Sequence, residues 1–214
     1  MKSILYQYNI ENYPSNVSFN EKELRDLINE NEIKQRIDFR GILTFTIDPD
    51  DAKDFDDALS FKKIPGGYEI GIHIADVSHF VRPNTEIDKE AQKRATSVYL
   101  VDRTVPMLPE ILSNDLCSLV PNQDRLTFAV IFEFDLEGNI KKHTITKTVI
   151  NSNKRFAYED VQKILDDGSG LYFEELNILN IIAKKTRKNR FKNGSISLDT
   201  DELKFKLDHE GRPM

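Results

Sequence analysis

From Gly41 the apolar positions recur every second residue: Leu43, Phe45 and Ile47 fall on one side, Thr44, Thr46 and Asp48 on the other. That period predicts a strand with one buried face, running into an acidic segment. Runs over 58–62 and 68–75 flank Ile64-Pro65-Gly66-Gly67 and predict a hairpin, with Gly66 and Gly67 able to supply positive φ. Two further strands are predicted over 126–134 and 144–150, joined at Glu137-Gly138-Asn139; the first is almost wholly apolar and so belongs inside a sheet. A last strand is predicted over 202–207. Asn20 and Glu23 have capping-box spacing ahead of Leu24, Leu27 and Ile28, which predicts one short helix over 21–30. Thr85, with Asp88 at N3, caps a second helix; two more are predicted over 158–165 and 172–192, the longer closed by Gly194. Strands come first and helices intrude later without a βαβ rhythm, so the fold class is α+β, a mixed, mainly antiparallel sheet with flanking helices. The Asn-, Tyr- and Ser-rich stretch around Pro14, ahead of the first helix, reads as linker.

Composition narrows the class. With 214 residues, 39% hydrophobic and 31% charged, one Cys and no Trp, the chain is ordinary globular material, not collagen, low-complexity disorder or a disulfide scaffold. It has no apolar run near the ~18 residues of a membrane span and no charged-then-apolar leader at Met1, so the expectation is a cytoplasmic protein with no membrane partner. A formal charge of −6 and a pI near 5.3 supply no global attraction to phosphate. Any nucleic-acid site has to be local or bridged by metal.

Between the first two strands, Asp48, Asp50, Asp51, Asp54, Asp56 and Asp57 place six aspartates in ten residues. Solvated acidic loops are common. These aspartates, however, are interleaved with Ile47, Phe55, Ala58 and Leu59, whose burial drags carboxylates to the edge of a core, where they need a cation. Oxygen-only ligands suit Mg²⁺ or Mn²⁺. An EF-hand fails on spacing: counted from Asp48, Lys53 stands where Gly is required and Leu59 where the bidentate Glu belongs. Four His and one Cys are poor material for structural zinc, and Cys117 in Leu116-Cys117-Ser118-Leu119 reads as a buried inert thiol. The chemistry of carboxylate-held Mg²⁺ is that of a phosphoesterase or phosphoryl transferase, with the substrate open.

The stretch Thr46 to Ala58, followed by Gly71-Ile72-His73-Ile74-Ala75-Asp76-Val77-Ser78-His79-Phe80-Val81, resembles the catalytic core of the ribonuclease II and ribonuclease R family of 3′ to 5′ exoribonucleases. Arg94-Ala95-Thr96-Ser97-Val98-Tyr99-Leu100 and the run from Val105-Pro106-Met107 to Leu119 agree, so four ordered blocks carry the resemblance. Asp38-Phe39-Arg40 and Asn151 to Tyr158 extend it, with residues 1 to 36 resembling the linker ahead of that core.

The resemblance implies Mg²⁺-dependent hydrolysis of single-stranded RNA from its 3′ end to nucleoside 5′-monophosphates. By position the family aspartates fall on Asp48, Asp54, Asp56 and Asp57. It implies Asp48 and Asp57 as metal ligands, Asp54 as support for the ion or a second one, and Asp56 as the position most demanding for catalysis. Asp50 and Asp51 lie outside this set. Tyr99, read as the C-terminal end of its helix, matches an aromatic that stacks on the 3′-terminal nucleotides; by itself it would be a core aromatic. His73 reads as a hydrogen-bonded structural histidine. Lys184, Lys185, Arg187, Lys188, Arg190 and Lys192 crowd one helix end, where a solvated face is the ordinary reading and phosphate binding the sharper one; Arg103 and Arg125 are equally ambiguous. Measured against the family, the chain is expected to be a truncated catalytic domain with little or no processive activity of its own. The rival expectation is a non-catalytic module that keeps the fold and weak metal or RNA binding, and sequence leaves the oligomeric state open.

Overall fold

The computed structural model describes residues 12–100, 103–197 and Asp208. Seven strands form one sheet in the order β1-β8-β7-β4-β3-β2-β9, with β1 Ile37–Asp38, β2 Leu43–Asp48, β3 Asp57–Ile64, β4 Gly67–Ala75, β7 Asp124–Asp135, β8 Ile140–Asn151 and β9 Lys154–Ala157. Neighbours are antiparallel except β1 with β8 and β2 with β9, which run parallel. A two-stranded ribbon pairs β5 Val98–Tyr99 with β6 Thr104–Val105. The α+β class with a largely antiparallel sheet therefore holds, and apolar β7 is internal as its composition required. The strand expected over 202–207 lies outside the described residues.

In the β3–β4 turn Pro65 is followed by Gly66 at φ 76°, the residue pair of a type II turn. Gly67 is needed for a different reason than expected: a Cβ there would run into the carbonyl of Phe134 on β7.

Helices cover both faces. On one side α1 Glu21–Asp26, α2 Glu30–Lys34, α3 Val77–Phe80, α4 Glu86–Arg94 and a π-helical turn at Leu112–Leu116 accompany a core in which Leu24, Phe80, Ile87, Leu112 and Leu116 meet Ala58, Ala129 and Ile131 of the sheet. On the other side α5 Tyr158–Asp167 and α6 Phe173–Lys192 pack on Phe45, Phe61, Ile70, Phe134 and Phe156, mainly through Leu176 and Ile182. None of the described helices is long and apolar enough to cross a membrane.

The single helix expected over 21–30 is broken. Asn29 restarts it, its side chain accepting from the amides of Asn31 and Glu32 as Asn20 does for Lys22 and Glu23. Nor is this stretch merely a connector: Leu24 is buried, and the fully buried Arg36 side chain pairs with Asp76 at 2.7 Å and donates to the carbonyl of Thr127.

Within the sheet His73 is fully buried, its Nδ1 3.0 Å from Thr148 Oγ1 and its Nε2 2.9 Å from Ser60 Oγ, the structural role expected of it. Burial pulls its pKa down from 6.5 to about 4. The fold thus prefers the neutral ring while the unfolded chain takes up a proton below its ordinary value, so this stability is present above pH 6.5 and drains away as pH falls toward 4. Urea denaturation across that window is expected to show a steeper loss for wild type than for His73→Gln; parallel profiles would refute the assignment.

Candidate active site

The loop from Pro49 to Asp56 joins β2 to β3 and is tied from outside. Ser118, fully buried, donates from Oγ to the carbonyl of Lys53 at 2.8 Å and accepts from the amide of Phe55 at 3.0 Å. One residue on, the amide of Leu119 donates to the carbonyl of Phe55 at 2.9 Å. Arg155 on β9 donates to the carbonyls of Pro49 and Asp50 and lays its guanidinium over the Phe55 ring, 5.6 Å from the centroid. Phe55 is buried, so its neighbours Asp54 and Asp56 are left toward solvent. An apolar anchor between two acids is what turns a repulsive run into a shaped one.

The result is a cleft of about 860 Å³ walled by Asp48, Asp51, Asp54 and Asp56 on one side and by Tyr99, Leu100, Arg103, Glu110, Ser113 and Asn114 on the other. Asp57 is not among the residues lining it. It opens β3 opposite Ile74, and the strand period puts it on the face of Leu59 and Phe61, whereas Asp48 alternates with Ile47 onto the face of Thr44 and Thr46. Among the described residues no three His, Cys, Asp or Glu side chains converge as a ready-made metal cage.

The charges are nonetheless coupled. Asp48 is buried and its Oδ2 has no hydrogen-bond partner. Burial raises its pKa, with Asp57 and Asp54 adding to the rise and the neighbouring Thr46 hydroxyl and then Arg155 opposing it. Asp56 keeps contact with solvent, yet the protein around it and the carboxylates of Asp54, Asp57 and Asp48 raise its pKa too. A buried, unpartnered carboxylate oxygen beside further carboxylates is a place for a cation, and Mg²⁺ needs only one or two such ligands, completing its shell with water and phosphate.

Tyr99 is not at a helix end. Helix α4 stops at Arg94 because Ala95 takes φ 64°, and Val98–Tyr99 then pairs with Thr104–Val105. This leaves the Tyr99 ring 67% exposed, with its hydroxyl donating to Asp54 Oδ2 at 2.8 Å. That bond, reinforced by partial burial, pushes its pKa up to about 12.

Cys117, Arg125 and Lys185 fall to the framework, whereas Arg103 lines the cleft and Lys184, Lys188, Arg190 and Lys192 are exposed. Cys117 is buried and its thiol pushed up to about 12. Arg125 is buried, donating to the carbonyl of Ser118 and pairing with Asp115. Lys185 ties the β7–β8 turn through the carbonyl of Glu137, and Arg187 packs over Phe191. Asp50 is exposed. Ser118 and Arg155 were missed by sequence reasoning, although a hydroxyl inside Leu-Cys-Ser-Leu and a cation one residue before buried Phe156 both signal polar groups that need partners.

Residues 36–214 match the RNB domain model. The chain belongs to the RNB family. This RNB chain is 44% identical over 204 residues to DIS3-like exonuclease 2 of Schizosaccharomyces pombe, covering 87% of itself and 22% of that protein. It is 44% identical over 193 residues to ribonuclease R of Thermotoga maritima, covering 86% of itself and 27% of the relative. A solved structure of Mycoplasma genitalium RNase R in complex with ribose methylated single-stranded RNA superposes on all of the RNB chain at a TM-score of 0.86 and 35% identity, over 34% of its own length. The chain thus spans about a third or less of the relatives it matches.

Ser118→Ala removes both ties that flank Asp54 and strands the Phe55 amide. It is expected to cost about 1–3 kcal/mol in chemical denaturation and to speed hydrogen exchange at Phe55 more than at core strand amides. Unaltered exchange at that amide would show that the loop is held by other means.

Proposed function

We propose that this chain carries the carboxylate apparatus of a cytoplasmic 3′ to 5′ exoribonuclease that hydrolyses single-stranded RNA to nucleoside 5′-monophosphates with Mg²⁺, or Mn²⁺ in its place. Residues 37–214 form the catalytic unit in this reading and 1–36 lead into it. One observation carries it: the unpartnered, buried Oδ2 of Asp48 in a cleft that also holds Asp54 and Asp56, with an exposed aromatic on the opposite wall. Membership of the RNB family and the likeness to a ribonuclease R solved with single-stranded RNA support the substrate.

Asp48 and Asp57 would hold the ion, with Asp54 supporting it. When bound, Mg²⁺ neutralises the scissile phosphate and lowers the pKa of an attacking water. Asp56, open to solvent, orients that water. Tyr99 offers its ring to a terminal base, a contact worth about 1–3 kcal/mol and indifferent to base identity. An acidic chain has no general hold on a polyanion, so release between cuts is expected to be frequent.

Calorimetric titration with Mn²⁺ is expected to show binding that Asp48→Asn combined with Asp57→Asn abolishes. With Mg²⁺, 5′-labelled single-stranded RNA is expected to shorten slowly and distributively, and Asp56→Asn to suppress the shortening by orders of magnitude while RNA binding persists. Metal and RNA binding without any Asp56-dependent cleavage would favour the non-catalytic reading instead.

A further inference from the structure

Tyr99 reaches the carboxylate loop from the opposite wall of the cleft, and it does so with its hydroxyl rather than its ring. The backbone on each side of Asp54 is already fixed, the carbonyl of Lys53 and the amide of Phe55 both being bonded to Ser118. Neither bond restrains the side-chain torsions of Asp54. Repulsion from Asp48, Asp56 and Asp57 would turn that carboxylate away from the others and into solvent. The Tyr99 hydroxyl, 2.8 Å from Oδ2, opposes this turn, and a hydrogen bond to a charged acceptor is among the stronger ones. Tyr99 is itself well anchored: it pairs with Thr104 across the ribbon, and the amide of Leu100 donates to the carbonyl of Arg103 at 2.8 Å.

We propose that Tyr99 is a positioning residue for Asp54: its hydroxyl holds one carboxylate oxygen and leaves the other, Oδ1, turned to a divalent cation, while its ring remains available to a base. The inference rests on the reading of the cleft as a cation site. Ring and hydroxyl belong to one rigid plate, so a base stacked on the ring biases where Asp54 stands, and an ion on Asp54 biases where the ring stands. By linkage the two ligands favour each other equally.

Tyr99→Phe separates the two roles, keeping the ring and removing the hydroxyl at a largely exposed position. Calorimetric titration with Mn²⁺ alone is expected to show affinity lowered about tenfold, the effect typical of deleting a partner of a metal-binding carboxylate. Tyr99→Ala is expected to lower it equally, with thermal midpoints unchanged in both. Fluorescence anisotropy with labelled single-stranded RNA is expected to show Tyr99→Phe retaining more affinity than Tyr99→Ala, and Mn²⁺ to tighten RNA binding in wild type more than in Tyr99→Phe. Wild-type Mn²⁺ affinity in Tyr99→Phe would overturn the positioning role while leaving the cation site standing. No Mn²⁺ binding by wild type would overturn the cation reading and this inference with it.

Discussion

Carboxylates gathered at one end of a sheet repel one another, and the loop that carries them would open into solvent unless its backbone were tied to something else. Two unit charges about 4 Å apart near a protein surface repel by about 4 kcal/mol, several times the ~1 kcal/mol net worth of one ordinary hydrogen bond. A single tie is therefore insufficient. The structure answers with several of different origin: Ser118 on both sides of Asp54, the Leu119 amide, the Arg155 guanidinium on the carbonyls of Pro49 and Asp50, and the buried Phe55 ring. None of these touches a carboxylate oxygen of Asp48 or Asp56. The framework holds the backbone, offsetting the charge of Asp48 only through Arg155 and leaving that of Asp56 without a cation.

The same division governs the cations. Arg36 is consumed by Asp76, Arg125 by Asp115 and the Ser118 carbonyl, and Lys185 by the β7–β8 turn. Of the basic side chains that look like phosphate ligands in the sequence, Arg125 and Lys185 thus serve as struts, while Lys184, Lys188, Arg190 and Lys192 stay exposed along the end of α6. In a chain of net charge −6 the surface as a whole offers a polyanion no general attraction.

Strand content was readable because alternation is a local signal: Leu43 to Asp48 and both hairpins stand close to where their periods put them. The acidic loop was readable for the same reason, Phe55 marking the one position that had to turn inward. What sequence did not reveal depends on distant partners or on single backbone angles. Nothing local distinguishes Ala95 at φ 64° from the best of helix formers, so Tyr99 was placed on a helix. Asn29 caps as well as it continues, so one helix was expected where two stand. The leading segment read as linker because the buried pairing of Arg36 with Asp76 spans forty residues. That Asp48 and Asp57 occupy opposite strand faces follows from register, which only the paired sheet defines.

The two parallel pairings bear on how the molecule comes into being. β1 meets β8 and β2 meets β9 across more than a hundred residues, and Arg155, which pins the carbonyls beside Asp48, sits on that last strand. Closing so long a span costs chain entropy that hairpins such as β3–β4 and β7–β8 do not incur, so the hairpins lead and the parallel contacts follow. During synthesis the aspartate loop emerges early and waits, without its Arg155 tie, until residues 154–157 arrive. The cleft is therefore completed late, and a nascent chain stalled before Arg155 would hold its acidic loop by the Ser118 and Leu119 ties alone, with the carbonyls of Pro49 and Asp50 unheld.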